Sequence, residues 1–413
     1  MPLQRRIPTW GELRPLVQFE KPSWRRTEAA LARAATIEDL RALAQRRAPK
    51  AVFDYVDGAA EGEVSLQRAR EAFRRVEFRP HVLRDVAQVR AGVELLGATS
   101  PIPLVLAPTG FTRMMHHEGE WAVGRAAAAA GVPYALSSTM GTVSVEDLAA
   151  DVPDVQRWFQ LYLWRDRDAS RDLMRRAAAN GFETLVLTVD TAVAGQRLRD
   201  VRNGLTVPPS LTPRTIGGMA IRPRWWANVL TSEPIEFASL RTSGGSVADL
   251  VDRMFDPSVT LADLAWLRES WPGRIVVKGI QHPDDARDLV DLGVDGLIVS
   301  NHGGRQLDRA VAPLELLPEV VAAVDHRVPV LLDSGVLNGG DIVAAVALGA
   351  DAVMVGRAYL YGLMAGGRAG VTRSLEILTS QVHRTLSLLG VPDVRDLTAS
   401  HVRLQQDSAV DAT

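Results

Sequence analysis

From residue 103 onward the chain repeats one pattern: a short apolar run, a polar or small residue at its end, then a stretch with apolar positions at helical spacing. The runs are PLVLA (103–107), YALS (134–137), WFQLY (158–162), TLVLTV (184–189), RIVVK (274–278), GLIVS (296–300), VPVLLD (328–333) and AVMVG (352–356). A strand with one face in water alternates apolar and polar residues, whereas a continuous apolar run suits a parallel strand covered on both faces. Segments 119–130, 169–179, 284–291 and 340–348 read as intervening helices, with Gly131, Gly181, Gly293 and Gly349 placed as C-caps. Eight such units predict an α/β fold of the closed (β/α)8, or TIM-barrel, class. The rival is an open doubly wound sheet. It is disfavoured because no G-x-G-x-x-G follows a run, and because polar residues gather at nearly every C-terminal strand end, which a barrel brings to one face.

Around this core, residues 1–100 read as an N-terminal helical extension. It includes a helix over 37–46 with Thr36 as N-cap and Asp39 completing a weak capping box. The barrel spans 101–402, and 403–413 form a C-terminal tail. The gap at about 193–263 is far longer than an ordinary loop and reads as an excursion over the barrel mouth. Its RPRWWANVL segment carries Trp225 and Trp226 beside Arg222 and Arg224. Two readings stay open for that pair: packing over the barrel, or an interfacial patch of indoles and cations at headgroup depth.

Bulk properties narrow the partners. At 413 residues, 46% hydrophobic and 23% charged, the chain is an ordinary globular one. A net charge of -2 supplies no field to recruit nucleic acid, and the basic residues Arg5, Arg6, Arg14, Lys21, Arg25 and Arg26 read as a solvated arm. The absence of cysteine excludes disulfides, thiolate metal sites and a flavin attached through sulfur. The first residues lack a signal-peptide core, and no apolar run approaches the roughly 20 residues of a membrane span. A cytoplasmic protein is expected, with peripheral attachment to the cytoplasmic face of the membrane as the alternative.

The densest chemistry is SNHGGRQLD (300–308), directly after the sixth run. His302 stands at a strand end beside two glycines, with Arg305 three residues on. A His near neutrality is a natural proton acceptor, and an arginine beside it grips a carboxylate in bidentate fashion. Asp190, ending the fourth run, can orient that base, and Arg197 follows it. Gln160 and Tyr162 share one side of the third strand. Small residues in APTG (107–110) let a planar ring approach the backbone. Lys278 is a cation in the barrel mouth, costly to bury unless it faces negative charge. The last two strands end in DSG (333–335) and in Gly356–Arg357, where barrels commonly hold phosphate. Together these features describe a planar, phosphate-bearing cofactor over a carboxylate pocket with a His base. HHEGE (116–120) lacks the i, i+4 histidine pairing of a zinc helix and reads as a helix start, with no metal expected.

The segments FDYVDGAAE, APTGFTRMMHHEGE, WFQLY, LTVDT, VKGI, SNHGGRQLD, LLDSGV and VGRAYLYG, in order over about residues 36–402, resemble the FMN-dependent α-hydroxy acid dehydrogenase/oxidase family. With PRWW included, the likeness is nearest to its bacterial respiratory, quinone-type L-lactate dehydrogenases. The resemblance implies FMN as cofactor and a homo-oligomer, a tetramer. It implies a small L-2-hydroxy acid substrate, lactate by preference, with electrons passed to quinone or another acceptor. It makes His302 the base, oriented by Asp190. Tyr55, Arg197 and Arg305 hold the substrate carboxylate, with Tyr162 near the hydroxyl. Ala107, Pro108 and Thr109 pack on the flavin, while Ser137, Gln160 and Thr188 bond its edge. Lys278 faces the N1/C2 region, Ser300 and Asp333 the ribityl chain, and Gly335, Gly356 and Arg357 the phosphate.

Two departures stand out. Leu337 occupies a position where many members carry an arginine that reaches the phosphate, so looser FMN binding is expected. Thr139 and Gly110 are small where relatives are often larger, so extra room beside the substrate's side chain is expected. The competing functions are an oxidase that uses O2 and yields H2O2, a flavin enzyme that modifies a peptide-derived redox cofactor, and a non-redox FMN barrel. The presence of Arg305 and Gln306 favours a free small acid.

Overall fold

The computed structural model describes residues 9–14, 26–138, 140–204, 222–232 and 256–405. Thr139 and the basic residues Arg5, Arg6, Lys21 and Arg25 lie outside them. Eight parallel strands close into a barrel: β1 (Leu104–Leu106), β2 (Tyr134–Ser137), β3 (Arg157–Leu161), β4 (Thr184–Thr188), β5 (Arg274–Ile280), β6 (Gly296–Val299), β7 (Val330–Asp333) and β8 (Ala352–Val355), with β8 pairing back onto β1. Each is one of the eight apolar runs. The reason such runs are needed is visible in the packing. Leu104, Leu106, Leu185 and Leu187 face the surrounding helices, while Val105 and Val186 point into the barrel with Trp158, Ile298, Leu331 and Met354. Both faces are dry, so alternation by polarity disappears.

The helices expected between strands are present at Gly119–Ala130, Arg167–Ala179, Pro283–Asp291 and Gly339–Ala347. Gly131 ends the first of these in the left-handed conformation, φ +67°. In the N-terminal region, α1 (Ile37–Arg47) carries the expected capping box. The Asp39 N–H donates to Thr36 Oγ1 at 3.1 Å, and the Thr36 N–H donates to Asp39 Oδ2 at 3.0 Å. Next come α2 (Lys50–Asp57) and α3 (Val64–Arg74).

The extension is not all helical, which corrects the sequence reading. Val76–Phe78 pairs antiparallel with Val402–Leu404, and Val93–Leu95 forms a hairpin with Ala98–Ser100 that sends Leu95 into the barrel interior. Three-residue strands are too short for a period to register, and the partner of Val76 lies near the far end of the chain. The helix Arg357–Leu389, kinked at Gly366 and Gly367, also went unforeseen.

Of the long excursion, Leu198–Asn203 and Pro223–Leu230 are described, both helical. Trp225 is half-buried against the main core, and its Nε1–H donates to the Met114 carbonyl at 3.0 Å. Trp226 stands edge-on to it at 5.7 Å. Trp225 therefore anchors this helix to the barrel, as the packing reading requires. Among the described residues no helix is long and apolar enough to cross a membrane.

Candidate active site

The C-terminal strand ends surround a cavity of about 510 Å³. After β6 the chain takes three successive left-handed residues: His302 at φ +57°, Gly303 at +64° and Gly304 at +73°. A non-glycine residue seldom adopts this region, and one that does at a site is held there by its surroundings. Here the His302 N–H donates to Ser300 Oγ at 3.0 Å, Gly303 N–H to Ser334 Oγ at 2.8 Å and Gly304 N–H to Asn301 Oδ1 at 3.0 Å. Gly304 is required for another reason, since a Cβ there would lie 2.7 Å from the Leu66 nitrogen of α3. The turn returns the imidazole to β4, where His302 Nδ1 lies 2.8 Å from Asp190 Oδ1. The Asp190 side chain is 1% exposed and its Oδ2 has no hydrogen-bond partner among the described residues. Gly279, at a bulge in β5, makes the room: a Cβ on it would sit 2.7 Å from that of Asp190.

Two cations flank the ring of Tyr55, Arg305 at 4.9 Å and Arg197 at 5.4 Å from its centroid. Burial, reinforced by repulsion from Arg197, lowers the pKa of Arg305 to about 10. The end of α2 holds the arginines in place. Arg305 Nη1 donates to the carbonyls of Tyr55 (2.6 Å) and Gly58 (3.1 Å). Arg357 donates to those of Val56 (2.9 Å), Gly58 (2.8 Å) and Gly303 (2.9 Å). The last carbonyls of a helix lack partners within it and carry partial negative charge, so cations settle there.

A second cluster lies deeper. Ser300 Oγ accepts from Lys278 Nζ at 2.9 Å and donates to Asp333 Oδ2 at 2.7 Å, while Lys278 and Asp333 form an ion pair at 2.7 Å. Burial opposes the charge on each. The pairing overcomes it, holding Lys278 above and Asp333 below their ordinary ranges. On the opposite wall Ser137 Oγ donates to Gln160 Oε1 (2.9 Å) and Gln160 Nε2 to Thr188 Oγ1 (3.1 Å).

The model of the FMN-dependent dehydrogenase family matches residues 44–404. The chain belongs to this family. A Mycobacterium tuberculosis protein, provisionally named as an L-lactate dehydrogenase, is 54% identical over 402 residues, covering 97% of each chain. An L-lactate dehydrogenase of Caulobacter vibrioides is 40% identical over 87% of this chain and 95% of its own. The crystal structure of the monotopic membrane protein (S)-mandelate dehydrogenase superposes with a TM-score of 0.87 at 39% identity, over 90% of this chain and 100% of that one. A mandelate oxidase superposes at 0.78 with 38% identity, over 90% of this chain and 98% of its own.

FMN is the cofactor of this family, and the cavity suits it. A planar ring needs a flat wall and polar edge groups, present at Ala107–Thr109 and at Ser137 and Thr188. The phosphate end needs small residues. Gly356 has no atom closer than 3.7 Å to where a Cβ would stand, so a glycine there leaves free space instead of relieving a clash.

The family motif explains residues whose purpose the sequence left blank. Asp308 Oδ1 accepts from the Ser65 N–H at 2.8 Å and Oδ2 from that of Gly62 at 3.0 Å, pinning the start of α3. Gln306 accepts from the Gly195 N–H at 2.9 Å and donates to the Val193 carbonyl at 3.2 Å, holding the Arg197 loop against Arg305. Asp57 receives Arg41, Arg199 (3.0 Å) and the Tyr361 hydroxyl (2.8 Å), joining that loop to α2. Only the quoted FDYVDGAAE segment hinted at Asp57; Arg199 gave no signal.

Most of the expected residues line the cavity together: Tyr55, Ala107–Thr109, Ser137, Tyr162, Thr188, Arg197, Lys278, His302, Arg305, Asp333, Gly335, Gly356 and Arg357. Asp190, Gln160 and Ser300 stand behind them and bond those that do. The extra room expected at Gly110 is absent. The Met140 Cβ lies 2.4 Å from where a Gly110 Cβ would stand, so Met140 fills the space. A local reading of Gly110 could not reveal a neighbour from another loop. Glu120 of HHEGE is fully buried and accepts from the Thr142 N–H (2.6 Å) and Oγ1 (2.5 Å), and Glu118 accepts from the Arg368 N–H (3.0 Å).

Proposed function

We propose that this chain oxidises a small L-2-hydroxy acid, L-lactate before others, to the 2-oxo acid, passing the electrons to a quinone or another acceptor. The observation that carries the reading is that the His302–Asp190 pair and the Arg197–Tyr55–Arg305 group face one cavity. Two half-buried guanidiniums that repel each other make a site for a carboxylate, and a substrate held there presents its α-carbon and hydroxyl to one base. With Nδ1–H directed at Asp190, His302 offers Nε2 to the departing proton, and Asp190 stabilises the imidazolium. Burial, together with Asp190 and Tyr55, holds the Tyr162 phenol far above its usual pKa, so it remains a neutral donor beside the hydroxyl. FMN, when bound, supplies the acceptor for the two electrons released. Ala107, Pro108 and Thr109 pack on its ring, with Ser137, Gln160 and Thr188 at the edge. Lys278 offsets developing negative charge, Asp333 serves the ribityl chain with Ser300 bracing it from behind, and Gly335, Gly356 and Arg357 serve the phosphate.

Lactate is favoured over mandelate because Met140 fills the space beside Gly110, which leaves less for a phenyl group. The names of the L-lactate dehydrogenase relatives support the same choice. The test is anaerobic mixing with L-lactate, glycolate and (S)-mandelate while flavin absorbance is followed. L-Lactate gives the highest kcat/KM, and bleaching by none of the three overturns the reading. Neighbours named as a dehydrogenase and as an oxidase make the acceptor the open branch. Reoxidation faster with a short-chain quinone than with air supports the dehydrogenase, and the reverse supports the oxidase. A homotetramer attached peripherally to the cytoplasmic face of the membrane completes the proposal. The membrane protein among its structural neighbours and the exposed Leu230 near the end of Pro223–Leu230 support that attachment, read by sedimentation with anionic vesicles.

A further inference from the structure

The phosphate of FMN carries about two negative charges, and a site that excludes water must meet them with cations or N–H groups. At the end of the cavity formed by the loops after β7 and β8, the expected cation is Arg357. Three of its hydrogen bonds go to the carbonyls of Val56, Gly58 and Gly303. Leu337, on the β7 loop, adds no charge. A second guanidinium lines the same end from a different element. Arg70 of α3 lines the same cavity as Leu337 and Gly356 and reaches the Gly335 carbonyl.

The attachment of Arg70 fixes how it points. Its Nη1 donates to the Gly335 carbonyl and, at 3.1 Å, to Asp341 Oδ2. Its Nε and Nη2 bond no described residue. Asp341 is itself anchored, accepting from the Leu337 N–H at 2.8 Å and the Asn338 N–H at 3.1 Å on the same oxygen. One nitrogen of the fork is thus tied to the β7 loop, and donors remain for a ligand. The side chain is 24% exposed, enough to meet a ligand but not to be freely solvated. α3 is held in turn by Asp308 and by the close approach of Gly304 to Leu66. Arg70 therefore stands on a helix that is tied to the barrel at its start.

We propose that Arg70 is a phosphate-binding residue for FMN, supplying from α3 the charge that Leu337 does not. It rests on the FMN site described above and adds a residue to it. One consequence is that FMN binding is not loosened by Leu337, contrary to the expectation from sequence.

The test compares FMN with riboflavin, which has the same ring and ribityl chain but no phosphate. Apoprotein is titrated with each while flavin fluorescence is followed, for the wild type, Arg70→Met and Arg70→Lys. Loss of a charge-assisted hydrogen bond weakens FMN binding about 10- to 100-fold in Arg70→Met, and riboflavin binding changes by less than about twofold. Arg70→Lys keeps the charge without the fork and falls between. It also serves if the methionine variant does not fold. Inorganic phosphate competes with FMN for wild-type apoprotein and more weakly for either variant. Equal weakening of FMN and riboflavin overturns the proposal, because Arg70 then only braces the β7 loop. Unchanged FMN affinity in both variants overturns it as well. A wild-type protein that binds neither flavin would refute the cofactor site itself.

Discussion

Asp190→Asn tests the proposed base most directly. The substitution keeps shape and one acceptor oxygen, and removes a charge 2.8 Å from the His302 ring in a side chain 1% exposed. Two unit charges about 4 Å apart at an effective dielectric near 20 attract by about 4 kcal/mol. An asparagine carbonyl retains a hydrogen bond of about 1 kcal/mol. The remainder, about 3 kcal/mol, is what the imidazolium loses as His302 takes the proton, a factor of about a hundred in rate. The assay is anaerobic stopped-flow reduction of the flavin by L-lactate at matched FMN content, with oxalate affinity as a control for the carboxylate site. Oxalate binding stays near the wild-type value while reduction slows about a hundredfold. Reduction within about threefold of wild type would show that the buried carboxylate does not stabilise the proton on His302. Loss of FMN would show that Asp190 serves the fold instead.

Arg305→Lys weakens L-lactate and oxalate binding together, by about tenfold or more, because an ammonium cannot also reach the carbonyls of Tyr55 and Gly58; unchanged affinity for both, measured by titration, removes it from the carboxylate site. Lys278→Met strands Asp333. In the wild type the lowered Asp333 pKa contributes stability above about pH 4 that is lost as the pH falls through its folded value; without Lys278, burial raises that pKa and charging the acid costs stability as pH rises. The difference in unfolding free energy between the two proteins, from urea titrations, therefore grows as the pH rises through the carboxylate range, towards about 3–5 kcal/mol, and a difference independent of pH refutes the pairing. Met140→Ala removes the side-chain atoms beyond Cβ from the cavity wall and raises kcat/KM for (S)-mandelate relative to L-lactate, whereas an unchanged ratio means that the substrate's side chain lies elsewhere.

The local pattern determined the barrel. A strand covered on both faces keeps a continuous apolar stretch with polar residues gathered towards its ends, and that pattern is written in four or five consecutive residues, so all eight strands and the glycine caps were legible without a structure. The same holds for His302, Arg305 and Asp190, because residues at the C-terminal ends of barrel strands converge whatever their separation along the chain. Tertiary structure decided how those residues are held. The last carbonyls of α2 orient Arg305 and Arg357, Asp308 docks α3 from more than two hundred residues away, and Met140 fills the space at Gly110. Arg70 is the clearest case. On sequence it is one arginine among several in an amphipathic helix, and only the packing of α3 against the β7 loop turns it towards the cavity. The physical reason is reach. Strand burial is a property of neighbouring residues, whereas the direction of a long side chain depends on which distant backbone carbonyls and carboxylates the folded chain brings within about 3 Å of its nitrogens.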